Sequence, residues 1–531
     1  MFPSEEVTIV PVPGTWIPLS AITPPEPATY ANTRNFLNEL KFSPLSDDDD
    51  RLCLTPVIPS TRCTLREHAR SEVVQAPLKF RESIYTKNVA AIGFRSGRRS
   101  CIVRATANVK DGDWVIAYDH FLNIKYTPDS ESGECYLRLK GCGMWIKGDD
   151  GKIAFPGFTL CEGMSVLVKD KAVVNIRGVG FPETCANELY ISKKLMEAFG
   201  KVGMIMGNEP FGFWNYGRIR GDVAPLLQKS VSVFRTYGDY RLDHHLLYGL
   251  ELFIYEHVSQ KMAEEIILKL SEIYPNGNIP SDKNTTSQRL ENLNFSGYHK
   301  FLQEHFNDYS NGIIEHLTDE DLESCGFVSP NKLYKAVEGI QLTSETSFVN
   351  LLKLFARIGW EAGKIISVIH RTGIIWGTFS DHVPSELHIN SHGDNLYVLP
   401  KESNKSNKNY QILAPIDFDL AFEISSAINY FKVPPEPEKN IMTRTFEATM
   451  FLKFITNCFS KENNVCKTFL RPVIDLKKYV PEVVWMCKDI LCFEYFHGLS
   501  APLSNCNSDI DIDESYIIIN EALEKVKYVS S

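Results

Sequence analysis

The sequence lacks several features that would place it quickly. No apolar run approaches the ~20 residues that a helix needs to cross a bilayer, so a membrane-spanning protein is not expected. The Pro-rich, acidic stretch 1–27 has neither an apolar signal core nor the Arg-rich, acid-poor look of a transit peptide. Positive charge is in deficit: 56 Lys and Arg stand against 66 Asp and Glu, a net charge of −10. No basic stripe compensates, which argues against a nucleic-acid partner. Thirteen cysteines are present, yet no two form a CxxC pair, and the Cys135/Cys142 and Cys487/Cys492 spacings match no zinc site. Buried reduced thiols in a cytoplasmic protein are the expectation.

What is present is close to an average globular chain: 44% hydrophobic and 23% charged over 531 residues, enough for a sizeable core. Residues 1–75 read as an irregular, Pro-bearing arm; its Asp47–Asp50 run reads as a solvated loop, with divalent binding as the alternative. From about residue 80, short β-rich runs follow one another: Val89–Ile92, Cys101–Ala105, Trp114–Tyr118, Cys135–Leu139, Ile153–Phe155 and Val166–Val168. Their breaks at Gly, Asp and Ser predict an antiparallel sheet. Apolar spacing predicts helices over 183–199, closed by Gly200, over Asp243–Met262, and over Ser347–Arg371, closed by Gly373. His244 and His245 are adjacent on a helix and so diverge, which disfavours shared metal ligation.

Between these lies a helical block. The run His316–Ile340 resembles the second half of a sterile alpha motif, carried by Leu317–Thr318, Glu320–Leu322, Gly326–Phe327 and a closing helix Lys332–Ile340. The other reading is extra helices of a neighbouring domain. A motif of this kind would open self-association through the insertion.

Chemistry concentrates after the long helix. His388, Asn390 and Asn395 form an HxNxxxxN loop before the apolar run Leu396–Leu399; a polar tip at Glu402–Asn409 follows, then the run ILAPIDFD, Ile412–Asp419. A protein-kinase-like fold builds its Mg2+–ATP site in this way, with an Asn before one strand and an Asp at the end of the next as oxygen ligands. Asn395 and Asp417 hold those positions. Upstream, such a fold needs a Lys on a strand and a Glu on a helix. Lys140 ends the strand-like run CYLRLK, and Glu188 lies in the 183–199 helix. The order Lys–Glu–Asn–Asp lifts the set above the ordinary reading of each residue as a solvated surface group. Gly93 and Gly97 bracket a short turn, more simply a hairpin than a phosphate loop.

A narrower resemblance emerges from LRLKGCG (Leu137–Gly143), DDGK (Asp149–Lys152), the Glu183/Glu188 pair, FRTYGDYRL (Phe234–Leu242), GDNLYVL (Gly393–Leu399) and IDFD (Ile416–Asp419). In this order, over roughly 90–420, they are similar to the selenoprotein O family, kinase-like proteins that act as adenylyltransferases. The resemblance implies that Asp394 is the base accepting a hydroxyl proton and that Asn395 and Asp417 hold Mg2+ or Mn2+. It implies that Lys140 and Glu188 form the phosphate-holding pair, with Arg235, Arg241 and Lys152 as further contacts to bound ATP. AMP would pass to a Ser, Thr or Tyr hydroxyl of a protein substrate. The chain departs from the family where Asp111–Trp114 carries no Arg (Arg98 and Arg99 are the nearby substitutes) and where Asp419 replaces a Gly. Asp419 reads either as a further metal ligand or as a charge that repels phosphate. His392, near Asp394, reads either as a phosphate contact or as a brace of the loop. In an ordinary kinase alignment the base position falls on Asn390, an amide that cannot accept a proton, which disfavours γ-phosphoryl transfer.

The expectation is thus an α+β, bilobal protein-kinase-like fold: an arm (1–75), a small β-rich N-lobe (76–240), the start of a large helical C-lobe (241–292), a helical insertion (293–342) and the rest of the C-lobe (343–531). Its expected activity is AMP transfer from Mg-ATP to protein hydroxyls. The alternative is a catalytically degenerate pseudokinase that binds nucleotide and protein partners.

Overall fold

A computed structural model of the 531-residue chain describes residues 6–9, 15–23, 57–58, 91–96, 100–110, 113–118, 122–126, 134–140, 144–147, 153–157, 166–168, 172–174, 182–219, 227–238, 240–274, 319–379, 387–389, 391–401, 411–419, 421–423, 447–448, 450–455, 481–501 and 512–530. Strands and helices both occur, and the chain divides into two compact units. One holds Met1–Lys193, Asn208–Asp239 and Phe418–Leu420; the other holds Lys194–Gly207, Tyr240–Asp417 and Ala421–Ser531. Among the described helices none is long and apolar enough to cross a membrane.

The first unit is dominated by one antiparallel sheet. Its strands are β1 (Glu6–Ile9), β2 (Thr15–Pro18), β3 (Val57–Ile58), β4 (Ala91–Ser96), β5 (Ser100–Lys110), β6 (Asp113–Tyr118), β7 (Leu122–Tyr126), β8 (Glu134–Lys140), β13 (Asn208–Ile219) and β14 (Leu227–Thr236). The order is β2-β13-β14-β8-β5-β4-β1-β3, with β6 and β7 continuing from the far half of β5. Two small pairs lie apart from it: β9 (Met144–Lys147) with β10 (Ile153–Gly157), and β11 (Val166–Val168) with β12 (Ala172–Val174). The β-rich runs picked out by composition fall in strands, apart from Val89 and Ala90, which lie outside the described residues. The arm differs from expectation: β1, β2 and β3 give it regular structure, with Trp16 opposite Trp214 and Thr8 opposite Ile92. The prolines misled, because β2 is an edge strand, where Pro18 costs no ladder bond. Strands β13 and β14 carry no strict alternation and were not foreseen. Their ladder shifts register between Pro210 and Gly212 and between Asn215 and Arg218, which breaks the period-two pattern.

Helix α1 (Pro182–Lys201) begins in this unit. Cys185 and Leu189 pack with Phe213 and Phe234, and Ile17, Leu19 and Ile22 lie against them. The helix passes through Gly200 rather than stopping there; the left-handed turn comes at Gly203, φ 72°.

The second unit is built on helices. A π-turn, Leu242–Leu247, leads into α2 (Tyr248–His257) and α3 (Gln260–Ser271). The single helix expected over Asp243–Met262 is therefore broken. Val258 is extended and the Ser259 hydroxyl accepts from the Met262 N–H, so a new helix starts with its own cap. Helices α4 (Asp319–Ser324) and α5 (Pro330–Ala336) flank Gly326, φ 92°. The closing helix is thus earlier and shorter than the expected Lys332–Ile340, because Pro330 sets its first turn. The rest of the expected insertion, 293–318, lies outside the described residues.

Helix α6 (Phe348–Arg371) follows the sequence reading closely. Ser347 caps it, accepting from the Asn350 N–H, and Gly373 takes φ 75° just beyond. Its apolar stripe is buried, and so are Arg357, Glu361, Lys364, Ser367 and His370. The helix is surrounded rather than laid on a surface. It packs against α7 (Pro481–Ser500), while α8 (Ile512–Ser530) covers α2 through Tyr248, Leu252 and Val526. Short strands β15 (Ile374–Ile375), β16 (Gly377–Phe379), β17 (Leu387–Ile389), β18 (Leu396–Val398), β19 (Leu413–Pro415) and β20 (Phe422–Glu423) form two-stranded pairs after α6.

Candidate active site

In the first unit, Lys140 ends β8 and Glu188 lies in the second turn of α1, where it is buried. The Lys140 ammonium donates to Glu188 Oε1 at 2.8 Å, and both side chains are buried. The structure thus joins two residues 48 positions apart that the sequence reading paired by order alone. A third group joins them. Asp419 Oδ2 lies 3.2 Å from the same ammonium and is equally buried. Asn187, beside Glu188 on α1, donates its amide to the Asp419 carbonyl oxygen at 3.2 Å. The Lys140 ammonium is thus a partner of the Asp419 carboxylate. Cys185 lies beside the cluster, where burial pushes its thiol up to about 12. It is thus inert as a thiolate at neutral pH.

Arg235, on β14 in this unit, stands directly opposite Glu209 in the β13–β14 ladder. Its guanidinium reaches Glu209 Oε2 at 3.4 Å and stacks over the Tyr237 ring at 4.8 Å. The Tyr237 hydroxyl donates to Glu209 Oε1 at 2.6 Å. Here the arginine acts as one half of a cross-strand ion pair.

In the second unit, the loop before β18 carries Asp394 and Asn395 on a short 3-10 turn, Gly393–Asn395. Strand β18 pairs with β19 in the register Leu396↔Pro415, and the Ile416 N–H donates to the Asn395 carbonyl at 3.0 Å. This pairing brings Asn395 to the end of β19 where Asp417 follows. Asp417 has φ 66°, the one non-glycine residue with positive φ among those described. Such a backbone costs on the order of 1–3 kcal/mol and needs surrounding structure to hold it. The Trp376 indole N–H supplies part of that hold, donating to the Asp417 carbonyl at 2.9 Å.

The other flank of β18 meets the chain at Tyr240–Arg241. The Val398 N–H donates to the Tyr240 carbonyl at 2.7 Å, and Arg241 bridges to Tyr397. This places the Arg241 guanidinium on the loop, 2.6 Å from the Asp394 carbonyl oxygen and 3.4 Å from Asp394 Oδ1. The Arg241 N–H is itself taken by His245 Nδ1 at 2.9 Å. Gly393 packs on the π-turn so closely that an added Cβ would lie 3.1 Å from the Asp243 Cβ.

His392 Nε2 lies 3.4 Å from the Asn395 side-chain nitrogen, and its backbone carbonyl accepts from the Asn395 N–H at 2.9 Å. These contacts brace the turn that carries Asn395. With the amide nitrogen turned to His392, the Asn395 oxygen is the atom suited to a hard cation. Among the described residues no group of three His, Cys, Asp or Glu side chains forms a cage. An amide oxygen and one carboxylate fit a Mg2+ that draws its other ligands from phosphate and water.

Lys152 and Asn390 lie outside the described residues, as do Arg98, Arg99 and the Glu402–Asn409 tip. Two contacts that hold the second unit's strands were not anticipated. Gln411 exchanges hydrogen bonds with the Ile205 backbone across 206 positions, and Glu361 accepts the Ile412 and Leu413 N–H groups at 2.8 and 2.7 Å. No local pattern announces partners so distant in sequence.

No family model matches the chain, and no curated protein matches it. A search of solved structures returns a glucosamine kinase (crystal form A) at 11% identity, covering 82% of this chain and 92% of that one, with a TM-score of 0.20. A likeness at that level assigns neither fold nor activity.

Proposed function

We propose that the chain is a bilobal, kinase-like nucleotidyltransferase that moves AMP from ATP onto a protein hydroxyl. The observation that carries this reading is the buried Lys140–Glu188 pair at 2.8 Å. A glutamate that orients a strand lysine is the arrangement that kinase-like sites use to hold nucleotide phosphates. The second unit supports it, with Asn395 and Asp417 drawn together by the β18–β19 ladder and Asp394 next to them on the loop.

In this reading Asp394 accepts the proton of the acceptor hydroxyl. The hydroxyl oxygen bonds to the α-phosphorus, the bond from that phosphorus to the bridging oxygen breaks, and pyrophosphate leaves. Arg241 fixes the Asp394 loop through the backbone carbonyl, so the base keeps its orientation while its charge changes. Lys140, with Arg235, Arg241 and Lys152 as further cations, offsets phosphate charge. Mg2+ or Mn2+ arriving with ATP would be held by Asn395 and Asp417 and would screen the phosphates.

The Lys140–Asp419 contact favours a second reading, a degenerate module in which the lysine is already neutralised and nucleotide at most stabilises the fold. One experiment separates the two. Purified protein is incubated with Mg2+ or Mn2+ and ATP labelled at either the α- or the γ-phosphate. Label transferred from the α-position alone supports AMP transfer. Label from the γ-position alone replaces it with phosphoryl transfer. No transfer and no ATP-dependent rise in Tm support the degenerate module.

A further inference from the structure

Lys140 faces two buried carboxylates, at 2.8 and 3.2 Å, with side-chain exposures of 10% for Lys140, 4% for Glu188 and 3% for Asp419. Two buried carboxylates thus share one ammonium, an arrangement that is costly unless chain geometry holds Asp419 where it is. That geometry is visible. Asn187 grips the Asp419 backbone from α1 while Glu188, the next residue, grips Lys140. Cys185, which packs with Leu189, Phe213 and Phe234, lies beside the three charged groups.

A carboxylate oxygen and a phosphate oxygen seek the same thing from an ammonium: an N–H donor and a compensating charge. With Glu188 as the orienting partner, Asp419 takes the second place on Lys140, the place an incoming anion would use. A phosphate approaching Lys140 must compete with the Asp419 carboxylate for the ammonium.

We propose that Asp419 is an internal stand-in for the anionic ligand of Lys140 and sets the affinity of that lysine for phosphate-bearing molecules. Binding requires the Asp419 carboxylate to leave the ammonium or to be matched by an added cation. That the natural ligand is a nucleotide rests on the function proposed above; the competition itself needs only an anion drawn to Lys140.

The test measures binding of inorganic tripolyphosphate and of ATP by calorimetry, without divalent cation, to the full chain and to Asp419→Asn. The neutral variant is expected to bind tripolyphosphate about tenfold tighter, the effect of ~1.4 kcal/mol of removed repulsion. Lys140→Met, added to Asp419→Asn, is expected to abolish the gain. Asp419→Gly is carried in parallel, so that loss of fold in one variant, judged by circular dichroism, leaves the other to report. Absence of any gain for tripolyphosphate overturns the proposal, as does a gain that survives Lys140→Met. If tripolyphosphate tightens but ATP binds no better than tripolyphosphate, the competition stands and the nucleotide reading fails.

Discussion

A single carboxylate shows how burial and neighbours decide a residue's behaviour. Glu494 on α7 is 21% exposed; burial, and then the charge of Asp319 on α4, push its carboxyl up to about 7. Burial, and then the charge of Glu494 itself, raise the hydroxyl of Tyr334 on α5 in turn. His497, one turn along α7, lies 3.8 Å from Glu494 Oε2 and 3.3 Å from Asp319 Oδ1. In the unfolded chain Glu494 ionises near 4.5, while in the folded chain it keeps its proton to about 7. The contribution of Glu494 to stability is therefore greatest below 4.5, falls as pH rises from 4.5 to 7, and stays lower above. The loss is at most about 3 kcal/mol, since each pH unit of difference is worth ~1.4 kcal/mol. Glu494→Gln should match the wild-type Tm at pH 4.5 and exceed it by several degrees at pH 8. An equal difference at both pH values would show that ionisation of Glu494 is not the cause.

At the scale of elements, legibility in the sequence followed the range of the signal. Helix α6 was readable because cap, stripe and terminal glycine all sit within its own span. The breaks at Val258 and Pro330 were readable too, but the apolar spacing that ran across them masked the Ser259 cap and the N-terminal preference of proline. The Lys140–Glu188 pair was legible only as an order of residue types, because the shape of the site depends on the sheet register that joins β8 to β14 and β5. The contact of Asp419 with Lys140 was not legible, since nothing near position 419 names the lysine.

Packing of α6 on α7 was likewise invisible, and it turns on glycine. A Cβ at Gly363 would lie 2.0 Å from the Tyr495 carbonyl oxygen and 2.7 Å from the Leu499 nitrogen, and one at Gly498 would lie 2.0 Å from the Trp360 oxygen. These neighbours are backbone atoms and cannot rotate away. Gly363→Ala must push the helices apart and should cost about 1–3 kcal/mol. Gly200→Ala is the control: nothing lies within 4 Å of the added methyl, and the position is helical and exposed, so stability should rise by up to ~1 kcal/mol. Urea denaturation of both variants checks the pair. Equal and small effects would mean that the helices have room to relax.

On the whole-molecule scale, a net charge of −10 opposes any anionic ligand, so affinity must come from cations placed locally. The described cations are not idle. Lys140 is held by Glu188 and Asp419, Arg235 by Glu209, and Arg241 by Asp394. Each is paired with a carboxylate before any ligand arrives, so ligand binding is an exchange of partners rather than a capture by spare charge. Such a molecule should bind weakly without divalent cation and tighten steeply when one neutralises the ligand. Lys140 belongs to the first unit and Asp417 to the second. If both serve one transfer reaction, Lys140→Met and Asp417→Ala should each lower α-label incorporation by about 100-fold or more, and the double variant should be no worse than the poorer single, because groups that act as a unit are strongly non-additive. Losses that multiply would mean that the two residues act in independent steps. Activity that survives Asp417→Ala would remove the second unit's loop from the chemistry altogether.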